Sequence, residues 1–160
     1  IILKREFLSK KKLILMGVLN MTPDSFSDGG KFNSTEKAME RIKYMCESGA
    51  DIIDIGGEST RPGSKIIAPN IELKRVKTVL EKFKKRFPKT LLSIDSRKSL
   101  VLNFSIKHRA DIINDVSCFK FDPGSFNVVK NKNLWKIYFT EQSPPPLLPA
   151  SEYLAIFSKT

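Results

Sequence analysis

The sequence predicts an α/β protein built on a parallel β-sheet. Three observations predict this class: short apolar runs rich in Ile, Leu and Val, amphipathic segments between those runs, and polar residues where the runs end. Continuously apolar runs are typical of strands that are buried on both faces. The alternation fits either an open doubly wound sheet or a (β/α)8 barrel.

Five apolar runs are the predicted strands. They span residues 13–19, 51–55, 91–94, 111–116 and, more weakly, 134–139. Neighbouring parallel strands need a connection that crosses the sheet, and this connection is usually a helix. We therefore expect a helix in each interval.

Three segments carry apolar residues at helical spacing. They are residues 34–48, the interval between Pro69 and Pro88, and residues 99–107, the last with a less regular stripe. Asn33 and Glu36 form a predicted capping pair for the first helix, and Gly49 supplies its stop. The order is then strand, helix, strand, helix, strand.

A short repeat supports this organisation. The pentapeptide ADIID at residues 50–54 recurs as ADIIN at residues 110–114. We interpret the two copies as equivalent parts of one repeating strand–helix architecture. Arg109 stands where the first copy has Gly49, which makes a left-handed helix stop less easy in the second copy.

Charge and composition narrow the function classes. The formal net charge is +11, but the lysines are spread along the chain, and aromatic residues do not alternate with them. We interpret the lysines as solvated helix faces or a field that attracts small anions, and we expect no nucleic-acid partner. The apolar runs are shorter than the roughly 20 residues that cross a bilayer, so no membrane association and a cytoplasmic location are expected. Cys46 and Cys118 lack metal-site spacing and are predicted to be buried thiols.

Polar residues mark the ends of four predicted strands. Asn20, Asp54, Asp95 and Asn114 each lie at or near the carboxyl end of an apolar run. Parallel strands bring these ends to one face, and active sites of such folds are built there. We therefore predict that the four side chains surround one pocket.

Two polar loops leave the same face. They read NMTPDSFSDGG at residues 20–30 and GGESTRPGS at residues 56–64, and neither contains GxxxxGK[ST] or GxGxxG. Thr60, Arg61 and exposed backbone amides can hold a phosphate or carboxylate. Asn20, Asp24 and Asp28 offer hard oxygen ligands suited to Mg2+ that bridges to a substrate phosphate.

The stretches LNMTPDSFSDGG, DIIDIGGESTRPG, SIDS and ADIINDVS, in this order, closely resemble the dihydropteroate synthase family. The resemblance covers residues 13–120 and implies a pterin-binding (β/α)8 TIM barrel. It also implies condensation of 6-hydroxymethyl-7,8-dihydropterin pyrophosphate with p-aminobenzoate in folate biosynthesis. Methyltetrahydrofolate-dependent methyltransferases share the barrel and the pterin pocket and are an alternative.

The resemblance assigns roles to individual residues. It implies that Asp28 and Arg61 are catalytic and that Asn20 is a ligand of the Mg2+ bound to pyrophosphate. The implied substrate-binding residues are Phe26, Asp54, Thr60, Arg61, Pro62, Asp95 and Asn114. Within this set Asp95 and Asn114 would read the edge of the pterin ring, and Phe26 and Pro62 would shape the p-aminobenzoate pocket.

The resemblance fades after Asn133. Further on, Pro144, Pro145 and Pro146 cannot lie inside a central strand or helix. We expect residues 1–133 to form the N-terminal half of the barrel, with four to five parallel strands. Residues 134–160 are expected to be a divergent tail, frameshifted or disordered. Reduced or absent activity follows from this expectation. A noncatalytic pterin- or partner-binding fragment that forms a homodimer through its open sheet edge is the alternative.

Overall fold

The computed structural model describes residues 14–22, 31–59 and 63–137 of the 160-residue chain. Strands and helices alternate through these residues, which confirms the predicted α/β class. The elements are β1 (Met16–Asn20), α1 (Lys31–Glu47), β2 (Ile52–Gly56), α2 (Pro69–Arg86), β3 (Leu91–Asp95), α3 (Ser99–Lys107), β4 (Ile112–Asn114), α4 (Pro123–Val129) and β5 (Trp135–Ile137).

The strand order distinguishes the two predicted architectures. Each strand pairs in parallel with the next strand of the chain, in the spatial order β1-β2-β3-β4-β5. A doubly wound sheet reverses its order near the middle, whereas a (β/α)8 barrel adds each strand beside the previous one. The five described strands therefore form an arc of a barrel, as predicted.

The two faces of the sheet carry different side chains. One face packs against the helices through a large apolar cluster, which includes Ile53, Ile55, Ile94 and Phe83. The opposite face holds a smaller apolar cluster, formed by Ile52, Leu91, Ile112 and Ile137. Since side chains alternate along a strand, the residues at positions 54 and 56 share the second face with Ile52. Polar side chains of this second face lie towards the carboxyl ends of the strands.

The observed helices agree with the predictions except at the first turn of α1. Helices α2 and α3 have the predicted bounds, with Pro69 at the start of α2. Helix α1 begins at Lys31, so Asn33 lies inside the helix and the predicted cap is wrong. No proline or glycine lies between Lys31 and Asn33, so the helix begins two residues before the predicted cap. None of the helices within the described ranges is long and apolar enough to span a membrane.

The sequence pattern did not predict helix α4. Its seven residues give little periodicity, but Asp122 marks its start by accepting a 2.8 Å hydrogen bond from the Gly124 amide. Asp122 also accepts a 2.7 Å bond from the amide of Ser99, the first residue of α3. One carboxylate therefore ties the beginnings of two consecutive helices together.

Equivalent helix ends occur in both copies of the repeat. Gly49 and Arg109 both have positive φ, of 98° and 66°. After α1 the Ala50 amide bonds to the Met45 carbonyl at 3.0 Å, and after α3 the Ala110 amide bonds to the Ser105 carbonyl at 3.0 Å. This pattern is a Schellman stop, which favours glycine because a side chain is strained at that position.

The aspartate that follows each helix stop makes the same kind of hydrogen bond in both copies of the repeat. Asp51 Oδ2 accepts a 3.2 Å hydrogen bond from the Leu15 amide, and Asp111 Oδ2 accepts a 2.9 Å bond from the Leu92 amide. Each aspartate thus joins its own strand to the start of the preceding one. Asp111 in addition pairs with Lys84 Nζ at 2.5 Å, so this lysine of α2 is not on a solvated face as predicted.

Replacing Arg109 by glycine is expected to stabilise the protein by about 0.5–1 kcal/mol, because glycine adopts the positive φ of 66° without strain. Chemical denaturation monitored by circular dichroism measures the change in the free energy of unfolding. The matched control is Lys74→Gly at an exposed interior position of α2, which should destabilise by about 1 kcal/mol. A loss of stability in Arg109→Gly would show that the side chain makes compensating interactions.

Candidate functional site

The carboxyl ends of β1 to β4 place four residues in one row across the sheet. Asn20 pairs in register with Gly56, Gly56 with Asp95, and Asp95 with Asn114. Residues in register on parallel strands point to the same face. The predicted grouping of Asn20, Asp95 and Asn114 on one side of the molecule is therefore confirmed.

Gly56 leaves a gap in the middle of this row. A Cβ atom at that position would lie 3.5 Å from Asp95 Oδ2 and 3.6 Å from Asn20 Oδ1. The amide oxygen of Asn20 and the carboxylate of Asp95 consequently flank one space, which the missing side chain of Gly56 leaves open.

A second polar layer lies one pleat below this row. Asp54 is 4% exposed and pairs in register with Ser93, which is fully buried. Asn114 Nδ2 donates a 3.1 Å hydrogen bond down to Asp54 Oδ2. Asp54 therefore lies on the same face of the sheet as the row, directly below it.

Three buried polar atoms of this layer have no hydrogen-bond partner of good geometry within the described part of the chain. They are Asp54 Oδ1, Ser93 Oγ and Asn114 Oδ1. An unsatisfied buried polar group costs about 1–3 kcal/mol. Three adjacent cases on one face indicate a place where a polar ligand completes the hydrogen bonds.

The site is acidic and partly shielded from water. Burial raises the pKa of Asp54, and the side chains of Ser93 and Asn114 offset this only in part. Burial raises the pKa of Asp95 to about 7, and the charges of Asp54 and Glu72 add to the effect. Asp95 therefore changes its charge near neutral pH, and the site favours a ligand that donates hydrogen bonds or carries positive charge.

Asp115 fixes the connection that follows Asn114. Its carboxylate accepts hydrogen bonds from the Ser117 amide at 2.7 Å and the Phe119 amide at 3.2 Å. Cys118 and Phe119 both have positive φ, of 53° and 61°. These strained conformations are held by the Asp115 bonds, which also explain why β4 ends earlier than predicted.

A buried ionic cluster that the sequence pattern did not predict lies beside the row. The Lys98 cluster consists of Glu58, Glu72, Arg97 and Lys98, which follow β2, begin α2 and follow β3. Glu58 and Lys98 both lie three residues or fewer beyond a strand end, on adjacent strands. Opposite charges at such positions are the signal that could have identified the pair.

Several predicted site residues lie outside the described residues. They are Asp24, Phe26, Asp28, Thr60, Arg61 and Pro62. Their predicted roles, and the roles assigned to the observed residues, stay predictions. Among the described residues no three His, Cys, Asp or Glu side chains are grouped as a metal site.

His108 and the two cysteines lie away from this site, and the thiols are less buried than predicted. His108 caps α3, its Nδ1 lies 2.9 Å from the Phe104 carbonyl oxygen, and its ring stacks on Phe104 with centroids 4.1 Å apart. Cys46 and Cys118 are half-buried and do not form a disulfide with each other. None of these three residues belongs to the row or to the Lys98 cluster.

Comparison with known proteins identifies relatives of this site. The family model described as pterin binding enzyme matches residues 16–152. The dihydropteroate synthase of Bacillus subtilis is 45% identical over 125 residues, which are 78% of this chain and 44% of the relative. The mitochondrial folate synthesis bifunctional protein of Arabidopsis thaliana is 47% identical over 120 residues, covering 74% and 22% of the two chains.

Solved structures share this fold. A Clostridium difficile dihydropteroate synthase, crystallised in the presence of pteroic acid, aligns with a TM-score of 0.75 and 37% identity over 85% of this chain and 52% of that one. The Xanthomonas albilineans synthase with 4-aminobenzoic acid aligns with a TM-score of 0.71 and 38% identity, over 78% and 45%. The chain spans about half the length of the bacterial curated relatives it matches.

Replacing Asp95 by asparagine is expected to raise the free energy of unfolding by about 2 kcal/mol at pH 8 and by much less at pH 5. The folded carboxyl keeps its proton up to about pH 7, while the unfolded one releases it near pH 4. Stability of the unmodified protein therefore falls as pH rises across this window, and asparagine removes that loss.

Urea denaturation at both pH values measures the effect. Glu40→Gln, at an exposed position of α1, is the control and should change stability by less than about 0.5 kcal/mol at either pH. An equal stability change at pH 5 and pH 8 for Asp95→Asn would refute the raised pKa.

Proposed function

The chain belongs to the family of pterin binding enzymes, and on this basis we propose that it is a dihydropteroate synthase chain. The proposed reaction joins p-aminobenzoate to 6-hydroxymethyl-7,8-dihydropterin pyrophosphate and releases pyrophosphate. The C–O bond to the pyrophosphate breaks with its electron pair leaving on oxygen. The amine nitrogen of p-aminobenzoate then forms the C–N bond and loses a proton.

The unsatisfied atoms of Asp54, Ser93 and Asn114 are the observation that carries this proposal. A pterin ring presents adjacent N–H donors and ring acceptors along one edge, and carboxylate and amide groups match such an edge. Asn114 is held by its bond to Asp54, which fixes the direction of its free oxygen. Asp95 lies beside Asn114 and supplies two further acceptor positions when ionised.

The acidic character of the site supports the bond-breaking step. Positive charge develops on the pterin as pyrophosphate leaves. The carboxylates of Asp54 and Asp95 stabilise that charge in a partly buried site. Ionised Asp95 contributes most above pH 7, so the proposed pterin affinity rises as pH increases towards that value.

Asn20 is the residue that we propose as a ligand of Mg2+. Its Oδ1 faces the gap at Gly56, and a hard oxygen donor of this kind suits Mg2+ that keeps several waters and bridges to a substrate phosphate. When bound, the ion would neutralise charge on the departing pyrophosphate. Asp28, Thr60 and Arg61 are proposed for the same end of the substrate, and Phe26 and Pro62 for p-aminobenzoate.

We also propose a cytoplasmic location. No nucleic-acid partner is included in the proposal. Self-association as a homodimer is kept as a proposal for the sheet edge at β1, where Val18 is 58% exposed.

Replacing Asn114 by leucine is expected to weaken binding of 6-hydroxymethylpterin at least tenfold, because the variant keeps the volume but loses the amide bonds. Isothermal titration calorimetry measures this affinity, and release of pyrophosphate from 6-hydroxymethyl-7,8-dihydropterin pyrophosphate in the presence of p-aminobenzoate measures turnover. Asn103→Leu, at an exposed position of α3, is the control and should bind like the unmodified protein.

Three outcomes are distinguishable. Binding with turnover supports the synthase. Pterin binding without pyrophosphate release supports the noncatalytic pterin-binding function instead. No pterin binding by the unmodified protein, or unchanged binding by Asn114→Leu, would contradict the assignment of this site.

A further inference from the structure

The Lys98 cluster lies outside the pterin-facing row, and the proposed reaction gives it no chemical step. Lys98 is 2% exposed, and its Nζ lies 2.8 Å from both Glu58 Oε1 and Glu72 Oε2. Arg97 Nε lies 3.2 Å from the other oxygen of Glu58. Two carboxylates and two cations thus form one largely buried cluster.

Glu58 connects the two ends of one loop. It stands at the beginning of residues 58–67, and its Oε1 accepts a 2.9 Å hydrogen bond from the amide of Ile67 at the end. A second contact inside the loop joins the Ser64 hydroxyl to the Ser59 carbonyl at 2.5 Å. Glu58 therefore holds together the two ends of the loop to which Thr60 and Arg61 belong.

The base of the loop is packed tightly against α2. A Cβ atom on Gly57 would lie 2.9 Å from Glu72 Cγ and 3.0 Å from Val76 Cγ1, so only glycine fits there. Arg75 donates a 2.8 Å hydrogen bond to the Gly57 carbonyl. Helix α2, the loop base and the Lys98 cluster form one packed unit.

Stability alone does not explain the cluster. Replacing a buried ion pair by apolar residues is often neutral or stabilising, because desolvation offsets the attraction. Glu72 Oε1 has no hydrogen-bond partner within the described ranges, so the cluster is not optimised as a stabilising network. Burial alone would raise the pKa of Glu58, but bonds from Lys98 and the Ile67 amide outweigh it and lower the pKa. Glu58 is held as a charged acceptor.

We infer that Lys98 is a positioning residue that fixes the base of the loop 58–67 relative to Asp95. Lys98 lies three residues after Asp95 in the same strand-to-helix connection. It therefore couples the segment proposed to hold pyrophosphate to the carboxylate proposed to bind pterin. The importance of Lys98 for the reaction rests on the proposed function. Its effect on the base of the loop is argued from the contacts of Glu58 alone.

Replacing Lys98 by methionine tests the structural content by hydrogen–deuterium exchange. The Ile67 amide and residues 58–67 should exchange at least about tenfold faster, in excess of any change in β2. The matched control is Lys84→Met, which removes a lysine that is also mostly buried but pairs with Asp111 at the opposite end of the sheet. This control should leave exchange in the loop unchanged relative to β2.

A charge-balanced variant keeps the test valid if Lys98→Met does not fold. In Lys98→Met/Glu72→Gln one cation and one carboxylate are removed together, so no uncompensated charge is left. We expect a higher melting temperature than in the single variant but the same fast exchange at Ile67. Normal protection at Ile67 in the double variant would overturn the inference.

A ligand measurement separates the inference from the proposed function. Lys98→Met/Glu72→Gln should bind inorganic pyrophosphate with Mg2+ at least about tenfold more weakly and 6-hydroxymethylpterin within about twofold of the unmodified chain. An equal loss for both ligands would mean a general structural role and would overturn the inference. If the unmodified chain binds neither ligand, the proposed function fails, and the exchange experiment alone decides the role of Lys98.

Discussion

The parallel register of the first four strands is the constraint on which the site depends. Backbone hydrogen bonds align Asn20, Gly56, Asp95 and Asn114, so residues far apart in the chain share one level of the sheet. A shift by one residue in any of these strands would turn its polar side chain towards the helices and an apolar side chain towards the pocket. The helices stabilise the register because their apolar faces pack only against the opposite side. Folding and placement of the ligand-binding groups are therefore one event.

The same register explains why the site lowers the stability of the folded protein. Apolar residues cover the second face of the sheet towards the amino ends of the strands. On the same face Asp54, Ser93 and Asn114 each place one polar atom that lacks a hydrogen-bond partner within the described residues. Acidic side chains then accumulate within reach of one another, and the pKa of Asp95 rises to about 7. Such local destabilisation is typical of functional sites, where a ligand supplies the missing interactions. Stability is provided elsewhere, by the apolar cluster between the sheet and the helices.

Residues that act through strand position could be predicted from the sequence, and residues that act through loop packing could not. Asn20, Asp95 and Asn114 follow apolar runs, and parallel pairing alone brings them together. Glu58 and Lys98 carry opposite charges just beyond two neighbouring strands, but their contact also depends on how the two connections pack beside α2, which no local pattern encodes. The seven-residue helix α4 is too short for periodicity, although Asp122 before a proline marked its start.

The hydrogen bond between Glu58 and the Ile67 amide has an evolutionary consequence. Residues 63–66 of this loop are exposed and contribute little to the core, so changes among them are thermodynamically inexpensive. Selection can then alter ligand preference in that stretch without endangering the scaffold. Substitutions of Glu58 or Gly57 carry no such freedom, so mutational tolerance should change abruptly at the boundary between loop and base.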